Sequence, residues 1–140
     1  MKLIADSGST KTDWYLISDK ELLRYHTQGY NPYYWTTEEV KKSLNAELLN
    51  KVDAKTIESL YFYGSGCANA LTQKLIRDAL EPTFVNASIS LGDDLLAAAR
   101  ATAGHEAGIC CILGTGSNSC FYNGTKIEDK IPSLGYILGD

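Results

Sequence analysis

The stretch that most constrains this chain is Asp6-Ser7-Gly8-Ser9-Thr10-Lys11-Thr12, a polar turn between two apolar runs, Leu3-Ile4-Ala5 and Trp14-Tyr15-Leu16-Ile17. Trp, Tyr and Ile favour strands, and the next polar turn comes at Ser18-Asp19-Lys20, so the pattern is strand, turn, strand. Small residues let backbone N–H groups close in on an anion, and Gly8 offers the left-handed angles that a concave turn can require. The hydroxyls of Ser7, Ser9, Thr10 and Thr12 and the Lys11 cation add donors at the same place. The stretch reads as a phosphate cradle. It is not a P-loop, which sets glycine directly before Lys-Ser/Thr and opens a helix. Here Thr10 precedes Lys11 and a strand follows, which also removes the dinucleotide-binding reading.

A second unit of this kind lies about a hundred positions later. Leu113-Gly114-Thr115-Gly116-Ser117-Asn118 follows the apolar run Ile109-Cys110-Cys111-Ile112 and precedes Cys120-Phe121-Tyr122. One glycine-rich turn is weak evidence, because many hairpins carry glycine simply to turn. Two such hairpins suggest two related lobes, each holding one side of a polyphosphate.

The rest of the chain fits that plan. Strands are expected at Lys2–Ala5, Asp13–Ser18 and Leu22–Thr27, followed by an aromatic loop, Gln28 to Trp35, in which Pro32 holds Asn31 extended. Thr36 and Glu39 have capping-box spacing, and Val40, Leu44 and Leu48 recur every four residues, which predicts a helix to about Leu49. Ile57–Tyr63 is apolar on both faces, like a central parallel strand. Gly64-Ser65-Gly66 ends it, and a helix from about Ala68 to Leu80 turns Leu71, Leu75, Ile76 and Ala79 inward. A strand at Phe84–Leu91 leads through Gly92-Asp93-Asp94 into an alanine-rich helix, Leu95 to about Ala103, which Gly104 terminates. Strands at Gly108–Leu113, Ser117–Tyr122 and Lys126–Pro132 then repeat the opening meander.

The order β-β-β-α-β-α-β-α is that of a ribonuclease H-like α/β lobe with a mixed sheet. The expected division is one lobe over 1–104 and the truncated start of a second over 105–140. Three strands without covering helices leave an apolar face bare, so the segment by itself is expected to be marginal or sticky.

Composition narrows the function classes. A chain of 140 residues with 44% hydrophobic residues can bury an ordinary core. A net charge of −4 and no Lys/Arg cluster argue against nucleic acid. No apolar run is long enough for a bilayer and no signal peptide precedes Asp6, which points to a soluble cytoplasmic protein. Cys67, Cys110, Cys111 and Cys120 lack paired metal spacing and read as free thiols in a reducing compartment. Cys110 and Cys111, adjacent in a strand, point to opposite faces. His26 and His105 have no partners at metal-ligand spacing.

Asp6-Ser7-Gly8-Ser9-Thr10, Asp94 at the head of a helix, Leu113 to Asn118 and the terminal Gly139-Asp140 together resemble the N-acetylglucosamine kinase and BadF/BadG-type ATPase group of the actin/hexokinase/sugar-kinase superfamily. The resemblance runs from residue 1 to residue 140. It implies ATP-dependent phosphorylation of an N-acetylated amino sugar, with ATP and Mg²⁺ as cofactors. Asp94 is then the general base and Asp93 the helix cap, at the carboxyl end of a parallel strand where open α/β sheets collect such groups. The bland reading of either aspartate is capping alone.

The resemblance further implies that Asp6, Gly8, Ser9, Thr10, Lys11 and Thr12 with Gly114, Thr115 and Gly116 hold the phosphates, Asp6 reaching Mg²⁺ through water. Asn31, Ser65, Thr115, Gly116, Asn118 and Asp140 would hold the sugar, with Tyr33, Tyr34 and Trp35 as a stacking face. Adenine recognition would fall outside this stretch, leaving the segment alone inactive. No nucleic-acid or membrane partner is implied, and a homodimer is allowed. Two alternatives stay open: an activator ATPase coupling hydrolysis to electron transfer, and a non-catalytic nucleotide- or sugar-sensing module.

Overall fold

Leu3, Ala5 and Ser7 are buried while Lys2 and Asp6 are exposed, the period-two pattern of a strand with one face on a core. The computed structural model of this chain describes residues 1–113 and 117–131. Its contacts divide it into two units, Met1–Asp94 and Leu95–Asp140.

The first unit holds β1 (Lys2–Ser7), β2 (Lys11–Ile17), β3 (Leu22–Gln28), α1 (Thr37–Glu47), a one-turn 3-10 helix (Ala54–Thr56), β4 (Ser59–Gly64), α2 (Ala70–Leu80) and β5 (Ser88–Asp93). The sheet order is β3-β2-β1-β4-β5. β1, β2 and β3 are antiparallel, while β4 runs parallel to both β1 and β5. This is the mixed sheet of a ribonuclease H-like α/β lobe, as the element order predicts.

Register lines up the buried face in rows. Leu3 lies between Leu16 and Leu60, Ala5 between Trp14 and Phe62, and Ser7 between Thr12 and Gly64. The small side chain of Ala5 leaves room for two rings to approach across it, and Trp14 and Phe62 meet at 6.1 Å between centroids, tilted by 57°. Val40, Leu44, Ile76, Ala79 and Leu80 from α1 and α2 close the same core. Burying each large side chain contributes about 1.5–3 kcal/mol.

Local chemistry explains the helix limits. Thr36 caps α1 with the reciprocal Glu39 contact, as the spacing predicts. α2 starts at Ala70 rather than Ala68 because Asn69 is its cap, its Oδ1 accepting from the N–H groups of Leu71 and Thr72 at 3.0 Å. Leu71, expected inward, is 80% exposed. The buried stripe runs through Ile76, Ala79 and Leu80, and at about 100° per residue Leu71 falls off it.

Two further expectations are corrected. The strand predicted at Phe84–Leu91 is β5 at Ser88–Asp93. Phe84 is buried, but its N–H bonds the Leu80 carbonyl at 2.8 Å, so the apolar run is spent on a turn. Gly8 does not use left-handed angles; among the described residues Gly66, Gly104 and Gly124 do.

The second unit contains β6 (Ala107–Leu113), β7 (Ser117–Asn123) and β8 (Ile127–Ile131) as an antiparallel sheet in that order. The helix α3 (Asp94–Ala103) ends at Gly104, whose φ is +61°. Its buried residues Leu95 and Ala99 share an apolar cluster with Cys110, Cys120 and Tyr122. The sequence division at 104 sets α3 in the first lobe, whereas the contacts divide the chain after Asp94. Ile109, Leu113, Phe121 and Ile131 are exposed. Among the described residues no helix is long and apolar enough to cross a membrane.

Candidate active site

The predicted phosphate turn is a tight hairpin end. β1 runs through Ser7 and β2 begins at Lys11, leaving Gly8, Ser9 and Thr10 as the bend, with the Gly8 N–H bonded to the Lys11 carbonyl at 2.9 Å. Ser9 and Thr10 are exposed.

Beneath the bend the hydroxyls are internal struts. Thr12 Oγ1 donates to the Gln28 carbonyl at 2.8 Å and lies 2.8 Å from Ser7 Oγ. The one Thr12 proton is thereby used, so Ser7 donates to Thr12 while accepting from the Tyr30 N–H at 3.0 Å. Both residues are fully buried. Thr12 therefore has no proton left for a phosphate, and its contribution is to hold the hairpin's shape.

Two neighbouring loops brace the bend. Gly29 donates its N–H to the Thr10 carbonyl at 3.1 Å. A Cβ on Gly29 would sit 2.6 Å from the Ser9 carbonyl carbon and 2.7 Å from the Lys11 nitrogen, so only glycine lets the loop approach this closely. Asn31 is 7% exposed; its Nδ2 donates to Ser9 Oγ at 3.2 Å and its Oδ1 accepts from the Tyr33 N–H at 3.0 Å. From the other side, the Ser65 N–H bonds the Ser7 carbonyl at 2.8 Å. Gly66, at φ +83°, packs its Cα against Asn31 Oδ1 and the Tyr33 ring, where a Cβ would stand 2.8 Å and 3.1 Å from them.

Of the three aromatic residues after Pro32, Trp35 packs edge-on against Tyr30 at 5.3 Å and belongs to the core side. Tyr33 and Tyr34 face outward, 66% and 79% exposed.

Asp94 stands at the same edge of the sheet. Ser7 pairs with Gly64 and Gly64 with Asp93, so these residues lie side by side across three strands. At the usual strand spacing Asp93 is about 10 Å from Ser7. β5 ends at Asp93 and α3 starts at Asp94 with no residue between. The buried Cys67 thiol below is pushed up to about 12 by burial first and then by the charges of Asp94 and Asp93. It stays a neutral packing group.

The charges beside the hairpin form a group that the motif reading passes over. Asp13 lies directly across from Asp6 in register. Its carboxylate is 3.0 Å from Lys11 Nζ, 3.2 Å from an Arg24 nitrogen and 2.5 Å from His26 Nδ1. Burial raises the Asp13 pKa, but the contacts and charges of Lys11 and Arg24 outweigh it and hold the carboxyl below its ordinary range. Asp6 is raised, by desolvation first and then by Asp13, with Lys11 opposing. The signal for Asp13 was its period-two relation to Lys11, which puts both on one face.

The remaining predicted residues belong to the second unit. Gly114, Thr115, Gly116 and Asp140 lie outside the described residues. Asn118 is half-buried at the start of β7, its Oδ1 accepting from the Ser119 N–H at 3.0 Å. Cys110 is buried and Cys111 exposed, so the two do face opposite ways. His26 and His105 are exposed.

No family model and no curated protein sequence matches the chain. Among solved structures, a crystal structure from Porphyromonas gingivalis named "Putative N-acetylglucosamine Kinase" aligns at 42% identity and a TM-score of 0.92. The alignment covers 100% of this chain and 50% of that one, so the chain spans half the length of this relative. YeaZ from Pseudomonas aeruginosa aligns over 93% of this chain and 65% of its own, at 14% identity and a TM-score of 0.48.

Proposed function

We infer that the chain forms part of an ATP-dependent kinase of an N-acetylated amino sugar, with N-acetylglucosamine as the first substrate to try; the premise is its 42% identity, along its whole length, to half of a protein bearing that kinase's name. The observation that carries the reading is the common end of the first sheet, where the braced Gly8-Ser9-Thr10 bend follows β1 and Asp94 follows β5, the two strands flanking β4 in parallel.

In this reading ATP lays its β- and γ-phosphates against Gly8, Ser9 and Thr10. Lys11 adds positive charge beside them, kept at the hairpin by Asp13. Gly114, Thr115 and Gly116 are further phosphate candidates on the sequence resemblance alone. Asp6 suits a Mg²⁺ site, because a cation relieves the desolvation and repulsion that raise its pKa. No group of three metal-ligating side chains occurs among the described residues, and Mg²⁺ commonly completes its shell with water and phosphate oxygens. When bound, it would neutralise charge building on the β- and γ-phosphate oxygens.

For the sugar, the first unit offers Asn31 and Ser65 with the outward rings of Tyr33 and Tyr34, and Thr115, Gly116, Asn118 and Asp140 are further candidates on the sequence resemblance alone. Asp94 accepts the proton of the attacking hydroxyl as its oxygen bonds the γ-phosphorus, and the bond to the β–γ bridging oxygen breaks to release ADP.

Asp94→Asn in the full-length protein tests the assignment. Loss of the base should lower kcat for sugar phosphorylation by about 10²–10⁴-fold while sugar binding by calorimetry is retained. Phosphorylation at the wild-type rate in that variant contradicts the role.

A further inference from the structure

We propose that Glu47, the last residue of α1, is a positioning residue for nucleotide binding: its carboxylate clamps the segment Gln28-Gly29-Tyr30, and that segment holds the Gly8-Ser9-Thr10 bend in place.

Helix chemistry disfavours a glutamate where this one stands. The dipole at a helix C-terminus opposes negative charge, and the last turn of α1 holds no basic residue to offset it. What the position supplies is an acceptor with two ends. Glu47 Oε2 accepts from the Gln28 N–H at 3.1 Å, and Oε1 accepts from Ser43 Oγ at 2.7 Å. Ser43 gives its one proton to the carboxylate, so the Tyr30 hydroxyl, 2.9 Å away, donates to Ser43. Ser43 and Tyr30 are both buried. One carboxylate thus fixes Gln28 directly and Tyr30 through a serine.

Each of the three residues between these anchors is hydrogen-bonded to the hairpin. The Gln28 carbonyl accepts from Thr12 Oγ1 at 2.8 Å, the Gly29 N–H donates to the Thr10 carbonyl at 3.1 Å, and the Tyr30 N–H donates to Ser7 Oγ at 3.0 Å. The segment therefore meets β1, the bend and β2 in turn. Gly29 lies so close to the backbone of the bend that the two must move together. The inference deepens the kinase reading and rests on it for taking this bend as the phosphate site. It gives Glu47 no contact with a ligand.

Glu47→Gln keeps the size of the side chain and removes one of its two acceptors, while Ser43→Ala cuts the Tyr30 arm alone. ATP affinity, measured by equilibrium titration of the full-length protein without sugar, should fall about fivefold in Glu47→Gln and less in Ser43→Ala. The two effects should not multiply in the double variant, because both act on one relay. Amide hydrogen exchange gives the signature that a general loss of stability does not. The amides of Gln28, Gly29, Tyr30 and Gly8 should exchange faster in Glu47→Gln, while those of β4 and β5 keep their wild-type rates. Glu38→Gln, at the exposed start of the same helix, should change neither measurement.

Unchanged ATP affinity in Glu47→Gln, exchange that quickens evenly through β4 and β5, or effects that multiply in the double variant overturns the assignment while leaving the kinase reading intact. No ATP binding by the wild type overturns both. ATP binding with the predicted pattern but no sugar phosphorylation overturns the kinase reading alone. Alanine suits a helix interior, so Ser43→Ala keeps the test decisive if Glu47→Gln does not fold. In that case ATP affinity must fall and Tyr30 amide exchange must quicken in Ser43→Ala, and any other result counts against the role.

Discussion

At the scale of single residues, the hairpin is held by groups packed beneath and beside it. Gly29 is the tightest of these. Adding a methyl group forces the loop or the bend to retreat against backbone atoms, which cannot swing aside as a side chain can. Gly29→Ala should lower unfolding stability by about 1–3 kcal/mol, the usual cost of overpacking, in a urea titration. An unchanged midpoint would show that the bend is slack. The Asp6–Asp13 pair gives a prediction with a definite sign. Asp13 is held low, so its contribution to stability is present above the ordinary carboxyl range and is lost as pH falls through its depressed value. Asp6 is raised and acts oppositely: its contribution is full below the ordinary value and is lost as pH rises through the raised one. Since Asp13 is only the second cause of the Asp6 shift, Asp13→Asn should bring Asp6 part of the way back down in a carboxyl NMR titration. An Asp6 midpoint that stays put would mean that desolvation accounts for the whole shift.

At the scale of elements, patterns of polarity were readable and patterns of allegiance were not. The apolar runs Leu3-Ile4-Ala5 and Trp14-Tyr15-Leu16-Ile17 around a polar turn and the Thr36–Glu39 cap specified β1, β2 and α1, because each is a local rule. The run from Phe84 to Leu91 was ambiguous: Phe84 is as buried as a strand residue, but it fills the core from a turn. α3 was legible as a helix, yet nothing in its alanines says which sheet shares Leu95 and Ala99. The site divides in the same way. Its donors could be listed from the chain, whereas the closeness of Gly29 and the direction of Asn31's amide arise only when distant segments meet. α2 offers a test of local control. Asn69→Ala should cost about 1 kcal/mol in denaturant unfolding and Asn69→Gly only a few tenths, because glycine tolerates the cap conformation. Equal losses in both variants would contradict the capping account.

At the scale of the whole molecule, the first unit supplies a braced hairpin and a carboxylate at one end of its sheet, and the second holds another antiparallel sheet, β6-β7-β8. The outward Ile109, Leu113, Phe121 and Ile131 give that second sheet an apolar surface. A kinase built on this plan should release ADP rapidly only when a hydroxyl acceptor stands where water would otherwise react. The most direct measurement is ADP release by the full-length protein across a panel of amino sugars, with phosphorylated sugar followed in parallel. Turnover should be stimulated by N-acetylglucosamine or a close N-acetylated relative, with one sugar phosphate formed per ADP. ADP release that is the same with and without every sugar would contradict it.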